Sequence, residues 1–352
     1  MSPSRFFRLG TEAGRLLGLA LLVLVLVVPA AAQAPGAFAR LGLGARAAVL
    51  GPQAADVFGD ASPYHNPALA PFVASQGVEI SGALLAFDRE WQAVQVTAPL
   101  RPRAGLAGGI VRGAVTGIDG RDASGYATGD LSTNELAFFV AFGTKVSENI
   151  SGGISLRIYR SDLIDEVRPP TALGLGAGLA VRATDRLALG VVAEDLFAQY
   201  NWNASAAGGG TVSDRFPTRF RGGAAYRLGP EAGAGRIVLT GEVEAQVRSA
   251  EVRRPGGIGT AGGFPIEETT ETDLRVGDLM ARVGAEVQVV EAFAVRAGAD
   301  RLFLGAPGEI RPSAGFSVRP SLGELDLRLD YAATVEPFAT AIAQTATIRI
   351  EL

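Results

Sequence analysis

From residue 78 onward the chain alternates apolar and polar residues in runs of about ten to twelve, and no other feature narrows its fold so far. Ile237, Leu239, Gly241, Val243, Ala245 and Val247 are apolar or small, while Thr240, Glu242, Glu244, Gln246 and Arg248 are polar. The pattern returns in Leu279 to Val289 against Arg282, Glu286 and Gln288, and in Leu325, Leu327, Leu329 and Tyr331 against Asp326, Arg328 and Asp330. Successive side chains of a strand point to opposite faces, so each run has one apolar and one polar face. Strands of soluble proteins usually have about five or six residues, whereas one that crosses a bilayer at a tilt needs roughly nine to eleven. The run length predicts an all-β fold, a transmembrane antiparallel up-and-down β-barrel with its apolar face toward lipid and its polar face toward the lumen.

About fourteen runs are discernible, near 78–87, 91–100, 104–114, 134–144, 150–160, 172–182, 186–196, 216–228, 236–248, 278–290, 293–302, 309–319, 324–333 and 342–352. An even number puts both ends of the barrel on the periplasmic side. The connections fit this: those at 101–103, 145–149, 183–185, 229–235, 291–292 and 320–323 are short, as periplasmic turns are. Those at 115–133, 161–171, 197–215 and 249–277 are long and rich in Gly, Asp, Ser and Thr, as extracellular loops are. Ile348, Ile350 and Leu352 share a face at the end of the last run, similar to a barrel-assembly signal with Leu where an aromatic is usual.

At the other end, Arg5, Arg8 and Arg15 accompany an apolar run from Leu16 to Val28, which Pro29 interrupts before Ala30-Ala31-Ala32. The run is well short of the roughly 20 residues of a spanning helix and reads as a signal peptide over 1–32, cleaved on export. Only 19% of the residues are charged and mean hydropathy is +0.24, apolar for a water-soluble exported chain. There is no cysteine, so the closed hydrogen-bond ladder has to hold the fold without disulfides. A net charge of −4 with a single lysine, Lys145, offers no basic face, and nucleic acid is not an expected partner. His65 is the one histidine. No serine–histidine–aspartate triad, thiol chemistry or histidine metal site is recognisable around it, so neither enzyme activity nor a cofactor or metal is expected.

Residues 36–77 break the alternation. Gly44-Ala45-Arg46 and Gly51 punctuate a small-residue stretch that leads into Asp60-Ala61-Ser62 and Asn66-Pro67-Ala68-Leu69-Ala70. This string, just before the first strand, resembles the N-terminal plug of the FadL-like outer-membrane β-barrel superfamily, most of all its PorV/PorQ branch. His65 and Leu69 depart from the usual pattern. The resemblance implies a fourteen-stranded barrel with a small N-terminal plug in its lumen, hence a plug (hatch) over 33–77 and a barrel over 78–352. Read as residues, Asp60 or Ser62 suits the cap of a short helix, and Asn66-Pro67 suits a turn or helix start. Asp60, Ser62, Asn66, Pro67 and Ala68 make up the plug motif, and Asn66 and Pro67 are expected to shape the plug rather than touch a ligand.

Gly174, Gly176 and Gly178 fall on one strand face and are expected to leave room in the lumen for the plug. Glu242, Glu244, Arg282, Glu286, Arg296, Asp300 and Arg328 are expected to face the lumen as well. Either they knit the plug to the wall or they form a hydrated lining, and the sequence leaves both open. Phe197, Tyr200 and Trp202, in one outer loop, either line a pocket or belong to an interfacial aromatic girdle, the girdle being the expectation. The resemblance implies an outer-membrane protein in contact with lipid that carries hydrophobic small molecules. The alternative is a PorV-like component of the type IX secretion system that binds exported cargo or secretion-machinery proteins.

Overall fold

The computed structural model describes residues 35–51, 53–58, 61–163, 168–203, 211–255, 268–302, 310–322, 325–336 and 341–352; the expected signal peptide and Asp60 lie outside them. The wall begins with β1 (Gly77–Leu85), β2 (Arg89–Leu100), β3 (Ala104–Arg121), β4 (Ala127–Lys145), β5 (Ile150–Asp162), β6 (Thr171–Arg182) and β7 (Leu187–Leu196). A separate hairpin follows, β8 (Gln199–Asn203) with β9 (Thr211–Arg215). The wall resumes with β10 (Thr218–Leu228), β11 (Ile237–Pro255), β12 (Glu268–Val290), β13 (Phe293–Asp300) and β14 (Arg311–Val318). It ends with β16 (Leu325–Val335) and β17 (Ile342–Glu351), after the two-residue β15 (Ser321–Leu322) in the preceding turn. Each wall strand pairs antiparallel with the next, and β17 pairs with β1, from Gly77 opposite Glu351 to Leu84 opposite Gln344. The result is a closed barrel of fourteen strands.

The alternation sorts side chains by solvent. On β4, Phe138, Val140 and Phe142 are exposed outside while Ala137, Phe139 and Ala141 are buried inside. Ile80, Val96, Ile154, Leu173, Leu189, Val243 and Val283 continue the exposed apolar band around the wall. A continuous band of that kind far exceeds what a protein leaves to water, and it is the surface a bilayer requires. No helix among the described residues is long and apolar enough to cross a membrane.

Two expected loops are largely strand. The β3–β4 ladder continues to Arg121 opposite Ala127, through a register shift between Val115 and Ile118, and the β11–β12 ladder reaches Pro255 opposite Glu268. These extensions, at the long-loop end, carry polar residues at successive positions, as in Ser132, Thr133 and Asn134. Backbone pairing there needs no apolar face, so a search for alternation passes over it.

The segment 35–76 runs inside the ring. It holds a 3-10 turn (Ala37–Arg40), the helix α1 (Gly44–Leu50) and a second 3-10 turn (Pro67–Phe72). α1 packs on β12, β13, β14, β16, β17 and β1, and the second turn packs on β2 to β6, so the segment bridges opposite sides of the wall. Asn66 starts that turn: its Oδ1 accepts from Ala68 N at 3.0 Å, its Nδ2 donates to Ala54 O at 2.7 Å, and Pro67 takes the first helical position. Ser62 lends only its carbonyl, which accepts from His65 and Asn66 N.

Of the three glycines on β6, Gly178 is the one that meets the segment. A β-carbon on Gly178 would overlap Asn66 Oδ1, so only glycine lets the turn lie against β6. Gly174 instead faces the Tyr159 ring and Ala198, and Gly176 faces Ser155, so both relieve crowding away from the segment. Gly178→Val is expected to unseat the turn, making the segment 36–76 protease-sensitive in a barrel that still shows heat-modifiable migration on gels. Full protection in that variant would show that the wall accommodates the side chain.

Candidate functional site

The inward faces of β5, β7 and β10 to β16 carry a belt of buried charges. Glu194 on β7 holds Arg157 of β5 at 2.6 Å, and Arg219 and Arg221 of β10 at 3.3 and 2.8 Å. Arg221 also reaches Glu242 of β11 at 3.3 Å; Arg282 of β12 contacts Glu242 at 3.4 Å and Glu244 at 3.0 Å. Farther round, Arg296 of β13 bridges Glu286 and Asp330, each at 2.7 Å, and Arg328 meets Asp330 at 2.8 Å. Each charge removed from water has a partner in this belt, the condition under which buried ions are tolerated.

The segment is bound into the belt. Arg46 of α1 donates to Glu286 at 2.8 Å, to Asp56 at 2.6 Å and to Gln53 at 2.6 Å. Glu242 accepts from Ala54 N at 2.7 Å, Arg157 donates to Tyr64 O at 2.7 Å, and Arg221 donates to His65 O. Thr347 accepts from Ala45 N at 2.8 Å, and Trp91 Nε1 donates to Phe38 O at 3.0 Å. Wall side chains thus satisfy polar backbone groups that the segment has buried outside regular structure.

Of the charged residues singled out in the sequence, Glu242, Glu244, Arg282, Glu286, Arg296 and Arg328 are buried in the belt. Asp300 stands apart, half-buried near the long-loop end with Arg311 at 3.8 Å. The sequence reading passed over Arg157, Glu194, Arg219 and Arg221, and took Arg46 only as part of the plug string. The signal for Arg157 was present, since Ser155, Arg157 and Tyr159 alternate with Ile154, Leu156 and Ile158. His65 is buried and unprotonated at Nε2, which accepts from Leu43 N at 2.9 Å; burial and the neighbouring Arg221 hold its pKa well below the ordinary imidazole value.

Toward the long-loop end the segment leaves two cavities. One, of about 220 Å³, lies between α1 and β11 to β14, bordered also by β1, β2, β16 and β17, with the charged residues Arg40, Glu244, Arg282, Asp300 and Arg311 around it. The other, of about 410 Å³, lies between Phe38 and Leu41 of the segment, the rims of β2 to β5 and the β8–β9 hairpin. Trp91, Tyr200 and Trp202 give it aromatic walls, and Glu135, Ser161 and Asp214 give it polar groups. The girdle expectation fails for two of its three residues. Tyr200 is 1% exposed, with its ring 4.9 Å from Phe216 and 5.8 Å from Trp202, and Trp202 is half-buried beside it. The cause is the hairpin: pairing Tyr200 with Asp214 and Trp202 with Val212 folds the loop back over the lumen, leaving only Phe197 outside.

No protein-family model matches the sequence, and no curated protein does. Among solved structures, the chain is similar to the toluene transporter TodX of Pseudomonas putida, at TM-score 0.55 and 12% identity over 88% of this chain and 96% of that one. It is also similar to the toluene transporter TbuX of Ralstonia pickettii, at 0.54 and 12% over 88% and 97%. A FadL homologue of Pseudomonas aeruginosa follows at 0.51 and 13% over 84% and 95%. At these identities the likeness speaks for the fold.

Breaking one member of a buried ion pair typically costs about 3–5 kcal/mol. Arg46→Met is expected to weaken the seating of the segment by a loss of that order, read as faster amide hydrogen exchange across α1 with the wall strands unchanged. Unaltered exchange in α1 would show that these ion pairs do not hold it. His65 gives a pH test. A released imidazole titrates near about 6.5 and takes up the proton before the seated one, so seating is favourable above that pH and weakens as pH falls below it. In a Trp202→Phe background, the temperature at which Trp91 emission shifts is expected to fall from pH 7.5 to pH 5 and stay level from 7.5 to 9. A flat profile between pH 5 and 7.5 would contradict it.

Proposed function

We propose that this protein is an outer-membrane transporter of hydrophobic small molecules, with residues 1–32 removed on export and 33–77 serving as its plug. The long-loop end faces outward in this reading, and both termini face the periplasm. The observation that carries it is the aromatic-walled cavity of about 410 Å³ at the outer end of a lumen that segment 35–76 occupies. A solute captured there meets the plug, not a water-filled channel, and cannot pass unless the plug or the wall gives way. The belt, with charges of both signs, selects for neither anions nor cations, which argues against an ion-selective porin. The toluene transporters and the FadL homologue share this fold, and the toluene that the first two carry is consistent with the same class of cargo.

The likeness of the Gly44–Ala70 string to PorV and PorQ plugs supports a second reading, a type IX secretion component that receives exported cargo. Docking a folded cargo domain takes an interface that buries well over about 1,000 Å². The inward-folded β8–β9 hairpin favours a small molecule instead.

Native mass spectrometry of the barrel, extracted gently from its own membrane, separates the two. A retained apolar small molecule, lost when residues 36–72 are deleted, is the expected outcome. A stoichiometric exported protein without any small ligand would overturn the transport reading.

A further inference from the structure

The aromatic cavity is unevenly charged. One arginine and three carboxylates line it, Arg89 against Glu90, Glu135 and Asp214. Arg89 is held by Glu336 at 2.6 Å, and Glu90 has Arg112 at 3.5 Å. Glu135 and Asp214 are half-buried, and no cationic side chain among the described residues pairs with either. Glu135 has only Ser161 Oγ, at 3.4 Å. Arg40 is a near cation, but it turns its guanidinium to the Pro35 carbonyl. Two unpaired carboxylates in a partly dry site are costly, as the upward shift that burial imposes on the Asp214 carboxyl reflects.

A second feature lies behind the wall of the same cavity. The Tyr200 hydroxyl, beside Ser161, is buried and makes no hydrogen bond of good geometry, although nearly all buried hydroxyls find a partner. Trp91 and Trp202 complete the aromatic lining. Aromatic faces attract cations most strongly where water is excluded. Aromatic walls, two unpaired carboxylates and an unpartnered phenol are together the surroundings a desolvated organic ammonium needs.

We infer that the outer cavity binds amphiphilic organic cations, molecules with an apolar body and one amine or quaternary ammonium group, in preference to neutral hydrocarbons or organic acids. The ammonium sits between Glu135 and Asp214 with the apolar body against Trp91 and Trp202. This rests on the transport reading and narrows its substrate class.

The protein has two tryptophans, Trp91 and Trp202; both line the cavity, Trp202 this one alone and Trp91 the smaller cavity as well, so intrinsic fluorescence reports on binding and the double variant below assigns it to this cavity. The full-length barrel in detergent is titrated with benzyltrimethylammonium, benzyl alcohol and phenylacetate. Expected is half-saturation by the cation at a concentration about tenfold or more below that for the alcohol, in keeping with a desolvated cation–π and carboxylate contact, and weakest binding of the acid. In the isosteric double variant Glu135→Gln/Asp214→Asn, checked for heat-modifiable migration, the cation falls to the level of the alcohol. Equal binding of cation and alcohol, tightest binding of phenylacetate, or a cation preference that survives in the double variant overturns the inference. If the alcohol binds as well as the cation, the inference fails while hydrophobic transport stands. If none of the three probes perturbs the tryptophans and native mass spectrometry finds no small ligand, both fail.

Discussion

Backbone N–H and C=O groups that face hydrocarbon have no water to bond, so a sheet in a bilayer has to leave no edge. The ladder joining β1 to β17 meets that demand, and the rest of the molecule follows from it. Fourteen strands enclose more room than small inward side chains fill, and a barrel of that size tends toward an aqueous channel unless something occupies it. Here the occupant is the chain's own segment 35–76, which is short of regular structure and full of backbone groups needing partners.

The charge belt answers that need. A barrel interior lined by hydrocarbon would strand the carbonyls of Tyr64 and His65 and the amide of Ala54; Arg157, Arg221 and Glu242 satisfy them. Each of these ions would be costly in isolation, and each is neutralised by the next around the ring, from Arg157 through Glu194 and Arg221 to Glu242 and Arg282. Cohesion of segment and wall is thus electrostatic and directional. Apolar contacts add to it at three places: Phe38 with Tyr159, Tyr200 and Phe216 at the long-loop end, Val57, Ala68 and Leu69 with Ala180 and Ala188 at the short-turn end, and Val49 and Leu50 of α1 with Ala332.

What could be read in advance follows the physics of each feature. The wall was legible because lipid enforces the alternation in runs such as Leu239, Val243 and Ala245 against Glu242 and Glu244. Outside the bilayer nothing enforces it, so the strand extensions of β3, β4, β11 and β12 were read as loops. The residues of the belt on β11 to β16 showed in the same alternation, but their partners did not: Arg46 and Glu286 are 240 residues apart in sequence. Tyr200 misled because an aromatic in a long loop suits a girdle and a pocket lining equally, and only the pairing of β8 with β9 turns it inward.

The account stands on a closed wall whose lumen is occupied by a segment pinned to buried charges. Current through single barrels in a planar bilayer tests that most directly. The intact protein is expected to carry no steady current, and a barrel lacking residues 36–72 to show stable ohmic steps. A steady open-pore current through the intact protein would contradict the account.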